Sequence, residues 1–118
     1  MPSERPHQRW TDIADNCRRI RTYTEDIDEA AFLASDMMRD AVERCLERIA
    51  EAARKLGDAY DADFPDADLP ALRRFGSVLR HDYDGINPQA LWRFVVGRVP
   101  VLARAAEVVL AGIGETED

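Results

Sequence analysis

Several things are missing from this chain. In 118 residues there is no run of roughly 18 apolar residues, the length a membrane-spanning helix needs. There are two cysteines, Cys17 and Cys45, but no Cys-x-x-Cys and no cluster of His with Cys, so a zinc-type site is not expected. Both cysteines fall inside helical patterns. The reading is two reduced, packed thiols, with a disulfide or a metal pair as the alternative. The opening Met-Pro-Ser-Glu-Arg-Pro-His-Gln-Arg is charged and has no apolar stretch, so no secretory signal is visible and the cytoplasm is the expected compartment. No strand-like alternation, internal repeat or low-complexity segment occurs. Residues 57–68 carry five Asp, yet they lack the spacing, the central Gly and the closing Glu of a calcium loop.

Helical periodicity is what remains. Apolar residues make up 46% of the chain, enough for one domain with a real core. Residues 1–7 read as a flexible tail holding Pro2, Pro6 and a His7 without a role, 8–113 as a single helical domain, and 114–118 as an acidic tail. A first helix is predicted at 8–23, with Trp10, Ile13, Cys17, Ile20 and Tyr23 on its apolar face. Asp28 is placed to cap a short turn carrying Phe32 and Leu33. The cleanest pattern runs from 36 to 56, with Asp36 as its expected cap and Gly57 as its stop. Its charged residues, among them Arg44, Arg48, Glu51 and Lys55, read as a solvated surface. A further helix is predicted over 70–81, and another from Asn87-Pro88 to about 112, kinked or broken between Gly97 and Pro100. The expected fold is all-α, an up-down bundle of four to five helices.

The net charge of −7 argues against a polyanionic partner, but its distribution does not. Residues 69–104 hold six Arg (73, 74, 80, 93, 98, 104) against Asp82 and Asp84, a local +4, which leaves −11 elsewhere. A basic face on an acidic body is compatible with nucleic acid; solvated helix faces are the plainer alternative.

Polar residues on the 70–81 helix form a constellation. At about 100° per residue, Arg74 lies within about 20° of His81 in azimuth, and Ser77, four residues before His81, shares that face. Arg73 is about 80° away and Arg80 about 100°. Tyr83 follows as part of His-x-Tyr. Taken alone, a His at a helix end is a capping residue more often than a catalyst, and such a Tyr is a half-buried aromatic. The geometry therefore selects Arg74, Ser77, His81 and Tyr83 without assigning them chemistry.

An Arg, a short spacer and His-x-Tyr near a helix end resemble the signature of HEPN-domain ribonucleases. The longer Phe75-Gly76-Ser77-Val78-Leu79-Arg80-His81-Asp82-Tyr83-Asp84 is similar to the HepT-like branch. Asp40-Ala41-Val42-Glu43-Arg44, Ile49-Ala50-Glu51-Ala52, Leu91-Trp92 and Val99-Pro100-Val101-Leu102 fall where that family has similar words. The resemblance spans roughly residues 9–110. It implies a HEPN-like bundle that forms a homodimer, and a metal-independent endoribonuclease toxin without a cofactor, cleaving RNA of the transfer-RNA class. Arg74 and His81 would be catalytic, with Ser77, Arg80 and Arg73 positioning substrate. Arg74 fits the family's widest spacing, while Arg73 and Arg80 align with other basic positions. The branch usually has Asn where this chain has Ser77. The resemblance also implies an MntA-type nucleotidyltransferase antitoxin that silences the toxin by transferring AMP to Tyr83. The alternative is a non-catalytic HEPN-like module that binds a nucleotide or docks such a partner.

Overall fold

The computed structural model describes residues 5–81 and 87–117, with side chains for 5–76 and 87–112. Within them the chain is all-α: α1 (Pro6–Thr24), α2 (Glu29–Ala34), α3 (Asp36–Leu56), a 3-10 turn (Pro65–Ala67), α4 (Leu69–His81), α5 (Pro88–Gly97) and α6 (Val99–Glu117). Six helices stand where four to five are expected, for two reasons. The turn at Phe32 closes into a helix of its own, because the Asp28 carboxylate accepts from the Ala31 N–H at 2.9 Å. The Gly97–Pro100 interruption is a true break, with Arg98 between two helices. Pro100 then sits in the first turn of α6, where its missing N–H costs nothing. A Cβ built at Gly97 meets no atom within 4 Å, so packing does not demand glycine there.

The termini differ from expectation as well. Pro6 opens α1 as a first-turn proline, which places His7 inside the helix rather than in a tail. The α3 cap is Ser35, not Asp36: the Ser35 hydroxyl accepts from the Met38 N–H at 3.1 Å, and Asp36 takes the first-turn position that suits a negative charge. Gly57 ends α3 at φ 71°, a conformation that side chains disfavour. Asn87 caps α5 by accepting from the N–H groups of Gln89 and Ala90 at 3.0 and 3.1 Å, with Pro88 at the first helical position.

The two long helices α1 and α3 lie side by side, α6 covers the other flank of α1, and α4 packs on α3. Trp10, Ile13, Cys17 and Ile20 of α1 meet Val42, Cys45, Leu46 and Ile49 of α3 in one core. Ala50, Ala52 and Ala53 are all buried within the subunit, so the small residues of α3 serve its own bundle. Both cysteines are free and buried. Burial pushes the Cys17 thiol up to about 12, and the Cys45 thiol is also raised by burial, offset in part by Arg48 and Arg19.

The acidic connector does more than span a gap. Tyr60 and Phe64 both meet the Trp10 ring edge-on, at 5.4 and 5.8 Å between centroids. Ala67 and Leu69 follow into the core. These contacts set where α4 begins, and so where its polar residues stand.

Candidate functional site

The expected site lies on α4, which runs without interruption from Leu69 to His81. Arg74 is exposed and, among the described residues, has no ion-pair or hydrogen-bond partner. Arg73 is differently placed. It donates to Asp61 Oδ1 at 3.0 Å and Oδ2 at 2.5 Å, and to the Gly57 carbonyl at 2.8 Å. That two-pronged contact holds the Asp61 carboxyl below the usual carboxylate range and raises the guanidinium in turn. Arg73 therefore ties α4 to the connector, whereas Arg74 is available.

The remaining expected residues are placed only in part. Ser77, Arg80 and His81 belong to α4, but their side chains lie outside the described residues. Tyr83 lies outside them altogether. At about 1.5 Å per residue, the seven residues from Arg74 to His81 span about 10 Å along the helix, and their near-common azimuth stands in regular helix.

The basic run of residues 69–104 divides by role. Arg98 donates to the carbonyls of Ala67 and Asp68 at 2.6 and 3.3 Å, and lies 5.9 Å from the Phe94 ring. Like Arg73, it is engaged in holding the connector. The six arginines are therefore not one uniform basic face.

Sequence reasoning missed a cleft of about 530 Å³ where α1, α3 and Gly76 of α4 meet. Arg48 and Lys55, assigned above to a solvated surface, line it. The signal was present in principle, since the two are seven residues apart and share a face of α3. Nothing in the sequence brought α1 and Gly76 to that face. No group of three or more His, Cys, Asp or Glu among the described residues is placed to hold a metal ion. No helix among them is long and apolar enough to cross a membrane.

Comparison with known proteins shows the family. The family model for "Ribonuclease HepT-like" matches residues 13–109. "Putative RNase MJ1380" of Methanocaldococcus jannaschii is 33% identical over 98 residues, covering 83% of this chain and 90% of that protein. "Putative RNase MJ0127" of the same organism is 30% identical, covering 100% of this chain and 98% of that protein. "Probable ribonuclease HepT" of Thermococcus cleftensis is 30% identical over 91 residues, 77% of this chain and 83% of its own. No solved structure matches. With the family model spanning most of the helical bundle and relatives of 30% identity or more covered over most of their length, the chain belongs to the ribonuclease HepT-like family.

Proposed function

We propose that this HepT-like ribonuclease is a metal-independent endoribonuclease toxin that cuts RNA, with transfer RNA as its substrate class. The observation that carries the reading is Arg74, an exposed guanidinium without a partner among the described residues, seven positions before His81 on one helix. The chemistry asks for little more. The ribose 2′-hydroxyl gives up a proton and its oxygen attacks the adjacent phosphorus. The bond from phosphorus to the 5′-oxygen breaks, that oxygen takes a proton, and a 2′,3′-cyclic phosphate remains. An imidazole with an ordinary pKa of about 6.5 can accept or donate either proton at neutral pH. A guanidinium can hold the phosphate with two prongs and stabilise its growing negative charge.

One histidine cannot easily serve both proton transfers in a single turnover. A two-fold homodimer supplies a second His81 and a second Arg74 to the same groove. Ser77 and Arg80 follow as substrate-positioning groups. Tyr83 is the point of control. A nucleotidyltransferase of the MntA type moves AMP from ATP to its phenol: the phenolic oxygen attacks the α-phosphorus, loses its proton, and pyrophosphate leaves. The attached nucleotide then occupies the phosphate site that RNA would use.

The test is cleavage of transfer RNA by the purified chain in the presence of EDTA. His81→Ala is expected to abolish cleavage while leaving the helical circular dichroism unchanged, and the parent product is expected to end in a cyclic phosphate. A parent chain that cleaves nothing yet binds the nucleotidyltransferase would replace this reading with the non-catalytic module. Cleavage that survives in His81→Ala would remove the assigned site.

A further inference from the structure

The cleft between α1 and α3 is unusual in how its charges are used. Each of its carboxylates is already engaged by a neighbour on its own helix. Asp12 accepts from Gln8 Nε2 at 2.9 Å, Glu47 from Arg44 at 2.8 Å and Glu51 from Arg54 at 2.6 Å. The cations on the α3 wall are not all used in this way. Arg48 and Lys55 are exposed and, among the described residues, form no ion pair. They are seven residues apart, about 10 Å along the wall.

A second observation comes from the opposite wall. Asn16 lines the cleft and is 7% exposed. Its Nδ2 donates to the Asp12 carbonyl at 2.8 Å, which turns its Oδ1 the other way, and that oxygen has no partner. Arg9, two turns earlier on the same stripe of α1, has a buried Nε that is equally unpartnered. The cleft thus combines two cations that form no ion pair among the described residues, Arg48 leaning on the Cys45 thiol, with an unsatisfied acceptor and an unsatisfied donor. A simple anion would answer the cations alone. A sugar–phosphate strand answers both, with phosphates for Arg48 and Lys55 and a hydroxyl or base N–H for Asn16.

Position selects which strand. Gly76 of α4 lines the cleft, five residues before His81. That is about 7.5 Å along the helix axis. It corresponds to roughly two stacked nucleotides at about 3.4 Å each.

We infer that the α1–α3 cleft of Asn16, Arg48 and Lys55 is a subsite for the RNA strand flanking the cut, about two nucleotides from His81. The inference rests on the ribonuclease reading above and adds a binding surface that the Arg–His–Tyr motif does not contain. Both cations sit on the helix that precedes the acidic connector, so the strand crosses from α3 to α4 and follows a basic path over an acidic molecule.

The experiment measures binding of a short 5′-fluorescein single-stranded RNA by anisotropy, over a salt series, in the His81→Ala full-length chain so that the probe survives. Arg48→Ala with Lys55→Ala is expected to weaken binding on the order of tenfold. The slope of log K against log salt is expected to become shallower by about 1.4, from two single-strand phosphate contacts at about 0.7 each. Circular dichroism and sedimentation mass are expected to match the parent. Equal affinity and equal slope in the double variant overturn the subsite, and leave the ribonuclease reading intact if the wild-type chain still cleaves. Loss of RNA binding together with a changed sedimentation mass also overturns it, because the cleft then seats a second copy of the chain. A parent chain that binds no RNA at all defeats both readings.

Discussion

Arg73 and Arg74 are neighbours in sequence with opposite fates. Arg73 is spent on Asp61 and the Gly57 carbonyl, and Arg74 faces solvent without a partner among the described residues. The Arg73–Asp61 pair should show in acid. Its hydrogen bond lowers the folded-state pKa of Asp61, so the stabilisation is fully present above the unfolded value of about 3.9 and is lost as pH falls through the folded value. Asp61→Asn is therefore expected to cost about 1 kcal/mol at pH 7, after allowing for solvent screening. In urea denaturation over a pH series, the gap from the parent is expected to close below about pH 3.9. A gap that persists at lower pH would mean that packing, not the charge pair, holds the connector. The thiols give a second readout at this scale. Cys17 is fully buried with its pKa pushed up to about 12, and Cys45 is raised as well. An aromatic disulfide reagent at pH 8 is expected to label neither in the folded chain and both in denaturant. Rapid labelling of Cys17 in the native state would contradict that burial.

Among the helices, most boundaries follow from short-range chemistry that can be read from the sequence. Asp28, Gly57, Asn87 and Pro88 do at their helix ends what their residue types suggest. Two adjacent residues, Ser35 and Asp36, both suit a cap by residue type, and only the backbone shows which one is extended. Ser35 has φ −110° and ψ 103°, outside the helical region, and its hydroxyl reaches Met38. Ser35→Ala is expected to lower stability by about 1 kcal/mol, read as a lower urea midpoint with an unchanged slope. An Asp36→Ala change of the same size would reassign the cap. The connector is the other element that sequence undersold. Its Asp, Gly and Pro residues signal turns, but Tyr60 and Phe64 find Trp10 only because α1 and α3 are already side by side.

At the scale of the whole molecule, a net charge of −7 is reconciled with an RNA substrate by the way the charges pair. The carboxylates of the α1–α3 cleft are held by groups on their own helices, and Arg73 and Arg98 are consumed in fixing the connector. What is left for a strand is a few cations, Arg48, Lys55 and Arg74 among them. Such a surface makes fewer phosphate contacts than a uniformly basic one would, so its affinity for RNA is expected to fall with salt along a shallow slope of about 0.7 per contact. A salt series on the parent chain measures this directly.

The all-α class, the core faces of α1 and α3 apart from the exposed Tyr23, most caps and the placement of Arg74 and His81 on one helix were determined by sequence alone. Each depends on neighbours within a turn or two of helix, and a 3.6-residue period records those neighbours faithfully. Tertiary structure decided which arginine of the Arg73–Arg74 pair is tied to Asp61, which aromatic rings receive Trp10, and that Asn16, Arg48, Lys55 and Gly76 share one cleft. Those are relations between residues far apart along the chain, set by which faces three helices turn toward one another once the core closes, and no local pattern carries them.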